Sequence, residues 1–220
     1  MGEAWEQLYP FLAESERVDP TPILESVIAS TIQKAHDVAE LREATFAQSR
    51  EALVQAAWAM AQRFARGGKL LAFGNGGSAT DAQDVVTDFL NPPFPHWRSL
   101  PAIALVNDTA IVTAVGNDVG YESIFLRQII AYGQPQDIAM GISTSGNSPN
   151  VLKALEQAKR QGLLTVALVG YDGGAIGRSE AVDFLILSPS TYVPRIQEAQ
   201  ATAYHALLEL VQTCLEWLQS

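Results

Sequence analysis

The sequence predicts an α/β protein: a three-layer sandwich with a mainly parallel five-stranded sheet flanked by helices, plus an N-terminal helical segment. Three observations carry that reading. Five short apolar runs follow residue 68, each bounded by Gly, Pro or Asp and most of them apolar throughout, which is how strands covered on both faces read. Helical stretches separate the runs, and such alternation is the pattern of a parallel sheet wrapped by helices. Upstream, from Thr21 to Ala65, there is no glycine and no proline after Pro22, so helix is expected there.

The elements follow in order. Leu53, Ala57, Met60 and Phe64 recur at helical spacing and give the N-terminal segment an apolar face. "KLLAF" (69–73) is the first strand and breaks into "GNGGS". In the helix after it, Ala82, Val85, Val86 and Phe89 form an apolar stripe, while Asp81, Asp84 and Asp88 share another side. A proline-rich connection, "NPPFPHW", leads to the second strand, "PAIALV" (101–106). "DIAMGIS" (137–143) is the third strand and runs into a serine-rich loop and a helix from about Asn150 to Gln161. "LLTVALVG" (163–170) and "VDFLILS" (182–188) complete the sheet, and a long helix from about Arg195 to Leu218 closes the chain. Residues 1–65 read as a helical segment of the same domain and an oligomer interface, and residues 66–220 as the ligand-binding α/β part.

Bulk properties narrow the function. The 220 residues carry a net charge of −10 and a sequence pI of about 4.7, with no lysine/arginine run. The basic footprint of a nucleic-acid binder is missing. An anionic substrate would be held by backbone amides, helix ends and hydroxyls, without long-range steering. Cys214 is the single cysteine; a reduced, helix-packed thiol is expected. The N-terminus lacks the charged start and apolar run of a signal peptide, Glu6 breaks the myristoylation pattern, and no apolar run reaches the ~18 residues of a membrane span. The expectation is a cytoplasmic protein with no membrane partner.

Two strand-to-helix loops carry the chemistry. In the first, Gly74, Gly76 and Gly77 free the backbone for a tight turn, and Ser78 is placed to cap the following helix, whose N-terminus favours an anion. In the second, "GISTSGNSPN", Ser143, Thr144, Ser145 and Ser148 surround Gly146, with Ser148 as N-cap and Pro149 at the first helical position. Hydroxyls and amides at a helix start suit a phosphate monoester. Gly74-x-Gly76-x-x-Ala79 also satisfies the dinucleotide fingerprint, but its acidic ribose partner should follow about 20 positions on, and Asp108 lies roughly 30 positions after Gly76. Poor spacing and the second loop argue against a nucleotide cofactor.

Read together, "GNGGSATDAQ", "AVGNDVGYESIF", "ISTSGNSPNVLKAL", "GYDGG" and "RIQEAQATAYH" resemble a sugar isomerase (SIS) domain, in its phosphoheptose isomerase branch, over about residues 25–215. The resemblance implies a homotetramer with active sites between subunits that converts a ketose phosphate, sedoheptulose 7-phosphate, to the aldose. It implies substrate contacts from Asn75, Gly76, Gly77, Ser78, Asn117, Asp118, Ser143, Thr144, Ser145, Ser148 and Gln197, and a catalytic pair at Asp88 and His205. It also implies a zinc set at Asp84, Asp88, Gln197 and His205. The family pattern has histidine at Asp84, glutamate at Asp88, arginine at Pro92 and an acidic or polar residue at Pro194. The same branch holds a non-enzymatic relative that binds a replication initiator, so a sugar-phosphate sensor or protein-binding module is the alternative to an isomerase.

The residues bear on that choice. A carboxylate and an imidazole suit proton transfer beside a carbonyl at neutral pH. Asp81, near the helix start, reads as complementing the N-terminal charge, and His36 and His96 match no motif. An Asp/Asp/Gln/His set is oxygen-rich and should weaken zinc preference. Gln197 and His205 are eight residues apart, ~12 Å along a regular helix, whereas metal–ligand bonds are ~2 Å. Either the helix is irregular near Gln197 or a neighbouring subunit supplies one of the two; the shared site is the simpler answer and calls for an oligomer.

Overall fold

A computed structural model describes residues 21–219. The reading of the first twenty residues, including the missing leader, lies outside them. The chain divides into two compact units, residues 1–37 and 38–220. The described part of the first is helical and exposes Ile23, Leu24, Val27, Ile28 and Ile32. Everything below concerns the second unit.

Helix α1 (Thr21–Ala65) is followed by β1 (Leu70–Gly74), α2 (Gly77–Leu90), β2 (Ala102–Ala104), α3 (Thr109–Asp118) and α4 (Ile124–Tyr132). Then come β3 (Ile138–Ser143), α5 (Pro149–Arg160), β4 (Leu164–Gly170), the short α6 (Gly174–Gly177), β5 (Phe184–Ser188) and α7 (Val193–Gln219). The five strands form one sheet in the order β2-β1-β3-β4-β5, every pair parallel. Alternate strand residues face opposite layers. Leu70, Ala72, Met140 and Val166 join a cluster with Met60, Phe64, Val85, Phe89 and Leu207. Leu71, Phe73, Ala139 and Ala167 join Phe125, Ile129, Val151 and Leu155. Both sheet faces are therefore covered, as the apolar strand runs predict, and the three-layer expectation holds.

The lower ends of β1 and β3 are tied by one buried carboxylate. Asp137 accepts from the Lys69 backbone N–H (3.0 Å), the Lys69 Nζ (2.5 Å) and the Gln134 N–H (2.9 Å) while only 1 % of its side chain is exposed. A buried charge needs this many partners. Cys214 is a buried free thiol on α7, and burial pushes its pKa up.

Two local expectations change. The second strand is three residues long, because Asn107 N–H turns back to the Ala104 carbonyl (3.2 Å) and the Asp108 carboxylate caps α3 through Ile111 N–H (3.0 Å). That cap also explains the acidic residue weighed above as a ribose partner. Ser78 does not cap α2: Gly76 holds the N-cap position with no side-chain bond, and Ser78 is buried in the first turn. The positive φ of Gly76 (56°) starts the helix earlier than a serine cap would.

Candidate active site

In an open parallel sheet, ligands bind outside the carboxyl ends of the strands where the strand order reverses. Here the reversal falls between β1 and β3, which pair with Gly74 opposite Ile142. The glycine loop follows β1 and the serine loop follows β3, so both open into one crevice. They are tied together. Asn75 Nδ2 donates to Asn150 Oδ1 and Asn150 Nδ2 donates to Asn75 Oδ1, both at 2.9 Å. The Tyr121 hydroxyl adds a bond to Asn75 Oδ1 (3.0 Å). A primary amide has two donors and two acceptor sites; these bonds fill Asn75 Oδ1 and leave one N–H for a ligand.

The serine loop is shaped by its own hydroxyls. Ser143 is buried at the end of β3 with its Oγ 3.0 Å from Ser148 Oγ, and Ser145 Oγ accepts from the Asn147 N–H (3.2 Å). Ser148 is the N-cap of α5 with Pro149 next, as expected, although its side chain makes no capping bond. Gly146 (φ 65°) is pinned by the Ile176 N–H (2.8 Å), and a Cβ there would lie 2.1 Å from the Gly173 carbonyl. Thr144, Ser145 and Ser148 remain half-buried, open to a ligand. Asn117 and Asp118 close α3 with exposed side chains, bonded to each other (2.7 Å).

The second cluster lies further along α2. His205 Nε2 is 3.3 Å from Asp88 Oδ2 and 3.7 Å from Asp84 Oδ2. The Tyr204 hydroxyl donates to Asp84 Oδ2 at 2.7 Å, and its ring meets the His205 ring edge-on with centroids 4.7 Å apart. Burial raises the Asp88 pKa and Asp84 adds to that, while His205 opposes it. Burial and the bond to Asp84 raise the Tyr204 pKa, so the phenol stays a donor. Asp81 behaves differently from the helix-start reading. Burial and then Asp84 push its pKa up to about 6, and its Oδ2 is buried with no partner. A helix N-terminus would lower a carboxylate pKa; desolvation wins here.

The ligand atoms of Asp84, Asp88 and His205 lie within 4.8 Å of one another. Gln197 does not join them. A Cβ built on Gly77 would fall 1.7 Å from Gln197 Nε2, so that amide lies on the glycine loop. Helices α2 and α7 thus run in the same direction, with Gln197 beside Gly77 and His205 beside Asp88. Eight residues of regular α7 separate Gln197 from His205, ~12 Å of axial rise. One chain therefore holds three of the four expected ligands together. Of the groups that shape this site, sequence reading missed Tyr204, Tyr121 and Asn150. Tyr204 stands next to His205 inside "RIQEAQATAYH", but only the fold shows its partner 120 residues away.

The SIS domain profile matches residues 35–170. A phosphoheptose isomerase from Nitratidesulfovibrio vulgaris is 42% identical over 179 residues, 81% of this chain and 85% of that protein. One from Desulfovibrio desulfuricans is 46% identical over 176 residues, 80% and 83% of the two chains. The solved structure of the phosphoheptose isomerase from Neisseria gonorrhoeae superposes with a TM-score of 0.76 at 35% identity, covering 86% of this chain and 99% of that one.

Proposed function

The chain belongs to the SIS-domain family, in its phosphoheptose isomerase branch, and from that premise we propose that it isomerises sedoheptulose 7-phosphate to the corresponding aldose phosphate. The observation that carries the reading is the carboxylate–imidazole pair, Asp88 Oδ2 to His205 Nε2 at 3.3 Å. In the open-chain ketose the Asp88 carboxylate takes a proton from C1, and an enediol forms. Return of that proton at C2 makes the aldose, while His205 carries a proton from the C1 oxygen to the C2 oxygen, so no proton is gained or lost. Burial that raises the Asp88 pKa makes it a better base than a solvated aspartate. The serine loop takes the phosphate, and the glycine loop with Gln197, Asn117 and Asp118 holds the chain of hydroxyls. The assembled pair weighs against a sensor without turnover.

Distance supports a site between copies. Asp88 lies ten residues beyond Ser78 on α2, ~15 Å along the axis. Gln197 lies on the glycine loop and His205 beside Asp88, ~12 Å apart on one helix, which supports a homo-oligomer, a tetramer by resemblance, with 1–65 at its interface. Charged sugar phosphates do not cross bilayers unaided, which supports a cytoplasmic enzyme; no described helix is long and apolar enough to cross a membrane.

A divalent ion fits the cluster. Two ligands ~2.1 Å from one tetrahedral ion stand about 3.4 Å apart, close to the 3.3 and 3.7 Å measured from His205 Nε2. Asp84, Asp88 and His205 would hold it, with Gln197 arriving from another copy, and the oxygen-rich set suits harder ions as well as zinc. When bound, such an ion polarises a carbonyl. The experiment is incubation with sedoheptulose 7-phosphate in D₂O, followed by NMR. Wild type should incorporate deuterium beside the carbonyl and form aldose; His205→Ala should lose ~100-fold or more in rate. Full turnover by His205→Ala would remove the assignment.

A further inference from the structure

A cavity of about 540 Å³ opens beside the catalytic pair, and Asp88, His205, Phe94, Trp97, Thr202 and Glu209 all line it. Phe94 and Trp97 come from the connection between α2 and β2, the "NPPFPHW" stretch that the phosphate-binding motifs do not use. Phe94 stays 50% exposed, so core packing does not account for it. Its ring meets Trp97 edge-on at 4.8 Å, and Trp97 packs in turn against the core.

The connection is built to hold those rings still. Asn91 N–H bonds to the Thr87 carbonyl and Leu100 N–H to the Phe89 carbonyl, each at 2.8 Å, anchoring both ends on α2. Arg98 N–H donates to Gln212 Oε1 (3.0 Å) and Gln212 Nε2 donates back to the Arg98 carbonyl (2.8 Å), with Gln212 buried on α7. Trp97 N–H closes a turn onto the Phe94 carbonyl (3.0 Å). Pro92, Pro93 and Pro95 fix three backbone φ angles in between. An aromatic wall pinned at three points in a cavity shared with a reactive pair is preorganised before any ligand arrives.

We infer that Phe94 and Trp97 form a stacking platform for the C–H face of the reacting end of an open-chain sugar phosphate, C1 to C3, and so determine substrate affinity at the carbonyl end. Carbon-bound hydrogens next to oxygens carry partial positive charge and are drawn to the negative face of an aromatic ring. The polar groups that must touch the substrate's oxygens, Asp88 and His205, line the same cavity. The occupant follows from that pairing: a chain with an apolar C–H side and a row of oxygens, one end of which must reach the acid–base pair. This inference rests on the isomerase reading of the site.

The test combines steady-state kinetics with tryptophan emission. Phe94→Ala and Trp97→Ala should raise KM for sedoheptulose 7-phosphate ~5- to 10-fold with kcat within about threefold, the factor an ordinary stacking contact gives. Trp97→Phe keeps an aromatic face and should recover most of the KM lost in Trp97→Ala, which guards against misfolding of the alanine variant. Sugar phosphate should change wild-type emission and leave Trp97→Phe unchanged, and inorganic phosphate, which has no carbon chain, should do neither. Unaltered KM in both folded alanine variants overturns the platform and leaves the isomerase reading standing. A Trp97-dependent emission change without deuterium exchange does the reverse. Emission that follows protein concentration and ignores sugar overturns it too, because a second copy then covers the wall.

Discussion

If the crevice of one copy works with the acid–base pair of another, two dead variants should revive each other. His205→Ala removes the imidazole and keeps the glycine and serine loops. Ser145→Asp places a negative charge in the serine loop, at a half-buried side chain that accepts the Asn147 N–H, and keeps the pair. Each alone should be inactive. A working site needs its loop from a His205→Ala chain and its pair from a Ser145→Asp chain, so random assembly of equal amounts makes about a quarter of sites intact. The basis is the ~12 Å that one continuous helix puts between Gln197, on the glycine loop, and His205, beside Asp88. Co-expression with two affinity tags, isolation of doubly tagged oligomers and an isomerase assay give the number. A second mixture checks the geometry further. Asp88 and His205 meet at 3.3 Å inside one chain, so Asp88→Asn mixed with His205→Ala should recover nothing. Folded, doubly tagged Ser145→Asp/His205→Ala oligomers with no activity would refute the shared site, and so would a stable active monomer.

Two other outcomes follow from the electrostatics. Asp81, with its pKa raised to about 6 from 3.8, stabilises the fold when protonated; that contribution is complete below pH ~3.8 and lost as pH rises through ~6. Each pH unit of the offset corresponds to ~1.4 kcal/mol, and discounting the ~3 kcal/mol total for a partly exposed group leaves about 1–2 kcal/mol. Asp81→Asn should therefore raise Tm above pH 6.5 and match wild type near pH 4; a lower Tm at pH 7.5 would mean that the carboxylate serves as an anion there. Asp84→His returns a nitrogen donor to the Asp88–His205 cluster and should strengthen zinc binding ~10-fold or more by equilibrium dialysis. Unchanged zinc affinity in that variant would count against Asp84 as a ligand.

The fold was legible because its signals are local. Apolar runs such as Leu164–Gly170 and the gap-free helical stretch before Ala65 declare themselves within a few residues, and both sheet faces turn out covered. The site divides along the same line. The glycine and serine loops could be read from their own composition, and helix periodicity put Asp84 and Asp88 on one side of α2. What the sequence could not display are meetings across the fold: Tyr204 with Asp84, Tyr121 with Asn75, the connection at Arg98 with Gln212. Asp81 was misread for a related reason. Position in a helix argues for charge complementation, but desolvation depends on what packs over the side chain, which a helix position does not display.

One long-range conclusion was nonetheless available from the sequence, and it came from a contradiction. Gln197 and His205 match one ligand set, yet a regular helix holds them ~12 Å apart. Of the two ways out, the structure removes the first: α7 is continuous across both residues, with Gln197 on the glycine loop and His205 beside Asp88. Parallel packing of α2 and α7 repeats the separation on both helices, so Gln197 and the glycine loop gather at one level and Asp84, Asp88 and His205 at another. No side-chain rotation closes a gap of that size. If both sets act on one sugar, the missing half must come from another copy, and the aromatic wall at Phe94 and Trp97 then borders the space where the two halves meet.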